Sequence, residues 1–435
     1  MNKSFLLICF LCFSSVLWGQ SVPAPGDAQE KEIYIVGGTI HVGNGVVVEE
    51  GTIVFKDGRI SSVKNEVVQK ENSKKVEVID ATGKHIYPGF ITPNSVNGLE
   101  EVSALRQTID HRETGSYNPN VRALIAYNTD SWVTPTVRTN GILTAQVRPT
   151  GGRISGTSSI VQLDAWNWED AAIVENDGLF LSYPSSVRRG GWWGEPGGIN
   201  NNDNYDDQVR DLEAFFKDAQ AYCQGNNETA NLKFESMCEV FSGTKKVYMQ
   251  AAHSKDILGA VDFAKDFNLD IVVVGGRDAW LVADILRENK IPVILSKTHT
   301  LPFRAEDDVD LPYKMPFLLK EAGVEFCMQA AWGSGEQRNL PFTAAKAAAY
   351  GLTKEEALMS ITSSTAKILG IDDKLGTLEE GKLATLFIST GDALDPMTSN
   401  LEYAFIEGRK VNLENKQKEL YRKFMGKYDK EFKQH

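Results

Sequence analysis

Between Glu32 and Ile79 the apolar positions fall in short strand-like runs, IYIVGGTIHV, VVVEEGTIVFKDG and RISSV, separated by Gly, Asn and Asp-Gly turn signals. That punctuation predicts a small antiparallel sheet. After IDATGKHIYPGFITP the texture changes to short apolar runs alternating with amphipathic stretches. DIVVVGG is followed by DAWLVADILREN and then IPVIL, and KMPFLLKEAG by VEFCM. Strand–helix alternation predicts an α/β domain with a parallel sheet or barrel. Near Leu375 the strand texture returns in GTLEEGKLATLFIST and LEYAFIEGRKV, so the two ends of the chain are expected to meet in one accessory sheet. ENKQKELYRKFMGKYDKEFKQH alternates charge at helical spacing and predicts a solvated terminal helix. The expected organisation is an N-terminal sheet segment over 30–84, the α/β domain over 85–374, a C-terminal sheet segment over 375–412 and the helix over 413–435.

Two segments depart from this rhythm. From Trp166 to Asp207, Trp166, Trp168, Trp192 and Trp193 are set among Gly and Asn, as in RRGGWWGEPGGINNNDNYDD. This reads as a long loop beside the domain mouth, offering either an aromatic platform for a flat ligand or sugar, or tryptophans that pack the loop onto its own domain. The first residues, MNKSFLLICFLCFSSVLWGQS, join a basic Lys3 to an apolar run and a small residue at Gly19, the pattern of a secretory signal peptide over 1–19. No small residue precedes Cys9 or Cys12, so no lipid anchor is expected, and the mature chain is placed in the periplasm or outside the cell. Export leaves Cys223, Cys238 and Cys327. Cys223 and Cys238 flank a segment able to close on itself, as a disulfide or as two small apolar side chains.

Composition narrows the function classes. The chain has 58 acidic and 46 basic residues, a net charge of −12, and no basic patch with interleaved aromatics, which argues against nucleic-acid binding. With 42% hydrophobic residues it is a globular chain, and no membrane span is expected.

GGTIHVGNGVVVEEGTIVFKDGRISSV, IDATGKHIYPGFITP, ALMSITSSTAKILGI, LGTLEEGKLATLFI and AFIEGRKV together resemble the amidohydrolase superfamily, most closely its imidazolonepropionase-like branch, from about Ile33 to Val411. The resemblance implies a (β/α)8 TIM barrel with a small β-sandwich built from both ends of the chain. It also implies hydrolysis of non-peptide C–N bonds by divalent metal, typically zinc, held by His and Asp at the barrel mouth. There the metal lowers the pKa of a bound water.

Tested position by position, the metal ligands are missing. The family pattern Pro-Gly-x-Ile-Asp-x-His-x-His corresponds to Pro88 through Val96, with Asn94 and Val96 where the histidines belong. Ungapped matching through DILGAVDFAKDF sets Ala252 at the next ligand position, leaving His253 one residue later as a helix-start residue or one that supports the site from behind, unless a local slip restores it as a ligand. Gly275 stands at the position after that, and Ala331 where the family carries Asp. Val, Ala and Gly side chains offer no donor, and one Asn does not hold a catalytic zinc. No bound metal or other cofactor is therefore expected. His41, His85, His111, His299 and His435 have no metal-ligand spacing, and His111 and His299 are expected on loops, solvated or bonded to backbone.

Other constellations carry little chemistry. GGRISGTSS lacks the Lys of a phosphate-binding loop, and TIDHRETGSYNPN has no Ser nucleophile to join Asp110, His111 and Glu113. Period-2 reasoning points Asn94 and Val96, Gln250 and Ala252, and Gln329 and Ala331 into the mouth. Arg138 and Arg148, with Arg153 in the Gly-rich turn, could hold a carboxylate there, or brace acidic partners inside the domain. Amides do not titrate, so such a mouth binds polar ligands without activating water. The expectation is a non-catalytic binding protein, or the partner subunit of an active relative, with Asn94, Gln250, Gln329, Arg138 and Arg148 as binding residues. The alternative is an active hydrolase with a rearranged site. The expected partners are a metal-competent paralogue, a polar small molecule or a second copy of the chain.

Overall fold

The computed structural model describes residues 23–192, 195–225, 229–330 and 333–428. The expected signal peptide, Trp193, Ala331 and His435 lie outside the described residues.

The first strands are β1 (Glu32–His41), β2 (Val47–Lys56), β3 (Arg59–Lys64), β4 (Val76–Asp80) and β5 (His85–Pro88). Asp57 and Gly58 make the two-residue turn from β2 to β3 with φ of 50° and 78°, the mirror-image turn that matches strand twist. The antiparallel expectation holds for β1, β2 and β3. It fails for β4 and β5, which run parallel to β1. The connection after β3 returns the chain to the starting end of β1 before β4 enters, and that reversal sets the parallel pairing.

The middle of the chain supplies β6 (Phe90–Ser95), β7 (Ile142–Val147), β8 (Ile154–Thr157), β9 (Ser159–Gln162), β10 (Ala172–Val174) and β11 (Gly178–Ser182). There follow β12 (Val187–Trp192), β13 (Glu195–Asn201), β14 (Lys246–Ala251), β15 (Ile271–Gly275), β16 (Val293–Leu295) and β17 (Phe326–Met328). β6 pairs parallel with β7, and β11, β14, β15, β16 and β17 form a parallel run. Between them 154–162 runs antiparallel to both, β9 on β7 and β8 on β11. The result is a TIM-barrel-type fold of mixed α/β content drawn as two sheets, not one closed ring. On the far side Ser360 accepts from Met328 N–H at 3.0 Å and Ile361 from Ile91 N–H at 2.9 Å, so an irregular segment lies between β17 and β6.

Alternation along these strands separates two cores. Phe180, Tyr248, Val274, Ile294 and Cys327 gather in one cluster with Ile368 and Leu369 of the helix Ser363–Leu369. Their neighbours Leu179, Leu181, Val247, Met249 and Val273 join a second cluster with Leu212, Phe216, Ile257 and Phe263. These last come from the helices Tyr205–Gln224 and Ser254–Phe267. Adjacent residues facing opposite sides is the period-2 rule of a strand covered on both faces. Each such side chain contributes about 1.5–3 kcal/mol of burial.

The last strands, β18 (Leu386–Ser389), β19 (Leu401–Ile406) and β20 (Arg409–Lys410), join the first in one eight-stranded sheet, β18 pairing with β5. The helix Lys416–Lys427 has no buried residue, and Asn415 caps it by accepting from Lys418 N–H at 2.8 Å.

The segment from Trp166 to Asp207 is not a loop throughout. It contains the barrel strand β11 and the hairpin β12–β13. LFLSY is a short buried run hidden in the sequence by the Trp, Gly and Asn around it. Cys223 and Cys238 form a disulfide, fastening the end of Tyr205–Gln224 to the turn Cys238–Phe241, and Cys327 is buried.

Candidate functional site at the strand ends

The carboxyl ends of the parallel strands gather amides around one asparagine. The β6–β7 ladder slips between Thr92 and Ser95, and within the slip Asn94 adopts φ +53°, a left-handed conformation that Asn tolerates better than most residues. The strict alternation expected for Asn94 and Val96 therefore breaks at Asn94. Its backbone N–H donates to Gln146 Oε1 at 2.9 Å, its Nδ2 to Gln329 Oε1, and its Oδ1 accepts from Arg148 Nε. Asn94 thus ties β6, β7 and the end of β17 together.

Arg148 is only 3% exposed. Its Nη1 donates to the Pro149 carbonyl at 3.1 Å, and the guanidinium lies 5.0 Å from the centre of the Phe180 ring. No carboxylate of the described residues pairs with it, and burial pulls its pKa down to about 10. Gln146 reaches deeper, donating to Asp177 Oδ2 at 2.6 Å. Asp177 also accepts from Ser158 Oγ at 2.8 Å and Tyr248 OH at 3.2 Å. Burial raises the Asp177 pKa against the pull of these donors, and it drives the Tyr248 hydroxyl well above its usual range.

The other expected site residues are distributed differently. Gln250 is exposed at the end of β14 and accepts from Ser182 Oγ at 3.1 Å, apart from the Asn94 cluster. Arg138, in the short helix Thr134–Arg138, is buried on Asp164, donates to the Leu163 carbonyl at 3.0 Å, and shares Asp164 with Arg409. It braces an acid and makes no contact with Asn94. Arg153 donates to the Ser182 carbonyl at 2.8 Å.

The histidines differ from expectation in one case and add an unforeseen pair. His111 is buried, not solvated, between Thr150 Oγ1 at 2.6 Å and Glu100 Oε2 at 2.9 Å. Burial lowers its pKa despite Glu100. His41 and His85 meet at 3.1 Å because β1 and β5 pair in register, and Glu355 holds the other nitrogen of His41 at 2.7 Å. Their wide separation in sequence gives no spacing signal. His253 occupies the N-cap position of Ser254–Phe267, without capping it through its side chain. Its Nδ1 lies 3.5 Å from Asp278, which Arg304 also grips with two nitrogens. Burial alone would raise Asp278, but these donors hold it well below the usual carboxylate range.

A cavity of about 330 Å³ opens beside the cluster, with Gln329 on one wall and Gly275, Arg277, Lys297, Thr298, Phe303 and Met315 among its other lining residues. Val96, Ala252 and Gly275 bring no donor to the mouth. Among the described residues no group of three or more His, Cys, Asp or Glu is arranged to hold a metal ion. The donor set does not fit the metal that the resemblance implies. No helix of the described residues is long and apolar enough to cross a membrane.

Comparison with known proteins agrees with this architecture. Residues 318–413 match the amidohydrolase family model. No curated protein sequence matches. Among solved structures, an amidohydrolase from Thermotoga maritima superposes with a TM-score of 0.76 at 23% identity, over 87% of this chain and 99% of that one. A Xaa-Pro dipeptidase with bound methionine gives 0.54 at 16% identity, over 88% of this chain and 100% of that chain. A zinc-bound adenosine deaminase from Xanthomonas campestris gives 0.52 at 13% identity, over 93% and 99%. The chain therefore resembles the amidohydrolase superfamily twice over, in sequence across 318–413 and in fold across most of its length.

Proposed function

We propose that this chain is an exported, metal-free member of the imidazolonepropionase-like branch that binds a polar small molecule, or serves as the non-catalytic partner of an active relative. In this reading the two sheets act as one (β/α)8 barrel, and the terminal strands as its β-sandwich. The observation that carries the proposal is the contact between Arg148 and Asn94. A buried guanidinium bonded to Asn94 Oδ1 puts a fixed positive charge beside the side chain that replaces the first metal histidine. A dication there would meet repulsion as well as a lack of donors at Val96, Ala252 and Gly275. The remaining groups of the cluster, Gln146, Gln329 and Asn94, are amides that neither take nor give a proton near neutral pH.

The test is an activity screen of the mature chain against lactams, N-acyl amino acids and dipeptides, with and without added zinc or manganese. The expected result is no release of amine or ammonia above the protein-free rate. Turnover that disappears in Asn94→Ala or Gln250→Ala would establish the alternative, a hydrolase working through a rearranged site.

A further inference from the structure

The cavity wall beyond Gln329 carries positive charge that the protein leaves unmatched. Two of its acids, Asp278 and Asp307, are both taken up by Arg304, which binds Asp278 at 3.0 and 2.5 Å and approaches Asp307 at 3.6 Å. Arg277 and Lys297 line the same cavity, and neither forms an ion pair with any described residue. The Arg277 guanidinium lies 4.0 Å from the centre of the Phe303 ring, and Arg189, from β12, reaches the same ring at 5.9 Å. Two arginines therefore converge on one aromatic side chain. Burial lowers the Arg277 pKa against the pull of Asp278, and the charges of Arg304 and Arg189 add to the lowering. Among the described lining residues, Glu336 is the one acid left to oppose Arg277 and Lys297. In a chain of net charge −12 this local excess runs against the whole.

The rest of the lining describes the body of the ligand. Leu295, Leu301, Phe303, Leu311 and Met315 make a mostly apolar wall. Thr298 lines the cavity too, with a buried hydroxyl that has no hydrogen-bond partner among the described residues. Such a group calls for a polar atom from outside the chain. Two of the backbone N–H groups that a phosphate cradle would use on this wall are already engaged. Gly276 N–H is bonded to the Ala251 carbonyl and Asp278 N–H to the Ala252 carbonyl, each at 2.9 Å.

We propose that this cavity binds an organic carboxylate with an apolar body. The carboxylate sits on Arg277 and Lys297 and the hydrocarbon lies against Leu301, Phe303 and Met315. The inference rests on the reading of the barrel mouth as a binding site without metal, and it names the ligand class of that site.

The probes are octanoate, octanamide and inorganic phosphate, titrated calorimetrically into mature protein whose metal content has been measured. Octanoate is expected to bind at least about tenfold more tightly than octanamide, the margin of one charge-assisted contact. Arg277→Gln and Lys297→Gln should each remove most of that preference, weakening octanoate far more than octanamide. Equal affinity for octanoate and octanamide, affinity for phosphate matching that for octanoate, or no binding by any probe would overturn the proposal. The two failures are separable. Metal-free protein without a carboxylate preference sinks this inference alone, whereas stoichiometric metal in the same sample sinks the reading beneath it.

Discussion

Arg138 and Arg148 are both buried, and the same change to Met at each separates their roles. Arg138 neutralises Asp164, which is itself buried. Arg138→Met should cost about 3–5 kcal/mol in urea denaturation, because Asp164 is stranded with Arg409 as its remaining cation. Arg148→Met strands no acid and should cost less than about 1 kcal/mol or even stabilise. Equal losses would mean that Arg148 has a counter-charge after all. The histidines set a pH dependence. Burial lowers the pKa of His85, with His41 adding to the shift, and burial lowers His111 as well. Below the unfolded value of about 6.5 the unfolded chain binds protons that the folded chain refuses. Stability is therefore full above that pH and falls as pH drops through it. Asp278 and Asp392 are depressed, so their contributions are present above about 4 and are lost only in stronger acid. The urea midpoint should decline between about pH 7.5 and pH 5, and His85→Asn should flatten part of that decline. A flat profile in wild type would contradict the lowered pKa of both rings. Period-2 reading brought Asn94, Gln250 and Gln329 forward from the sequence, and Arg148 entered separately as a possible carboxylate ligand. Gln146, two residues before Arg148 on the same strand face, was within reach of that rule but carried no family signal. The His41–His85 contact had no local signature, because strand pairing alone creates it.

At the scale of elements, turn chemistry was the most legible feature. Asp57-Gly58 and Glu407-Gly408 supply positive φ at both central positions of their hairpins. β11 was hidden because a short buried strand has no alternation of its own, and the tryptophans around it dominate the pattern. Trp192 is 58% exposed on β12, and Trp166 is 67% exposed on the segment before Trp168–Ala171. The two ends of this segment thus present tryptophan to solvent, while β11 between them is core. Cys223 and Cys238 lie 15 residues apart, and for a loop of that length loss of the cross-link costs about 3 kcal/mol. The double variant Cys223→Ser/Cys238→Ser should show that loss in urea, and reduction of the wild type should match it. A much smaller effect would show that the segment stays closed in the unfolded chain without the bond. Gly152 is a second sensitive point. At φ +66°, its added Cβ would sit 2.8 Å from the Ser116 carbonyl oxygen, so Gly152→Ala should destabilise where Gly198→Ala, with open space around it, does not.

At the scale of the whole molecule, the chain has a TIM-barrel-type fold like that of the Thermotoga amidohydrolase, and in the proposed reading its mouth binds without a metal. The strand ends still converge, and the cavity is still there. What converges is a set of amides around Asn94 and a buried cation, beside a cavity rimmed by further cations. The α/β character of the fold was readable in the sequence because strand–helix alternation runs through much of 85–374, and the family resemblance added the barrel. The ligand was not, since Arg277, Lys297 and Phe303 come from two separate loops that only the fold brings to one cavity. The feature on which the proposed binding role depends is the missing metal. Elemental mass spectrometry of mature protein purified with zinc and manganese supplied, beside a chelator-treated control, measures it directly. Metal far below one equivalent per chain is expected in both samples. One equivalent of zinc or manganese, removed by the chelator and restored on readdition, would contradict it.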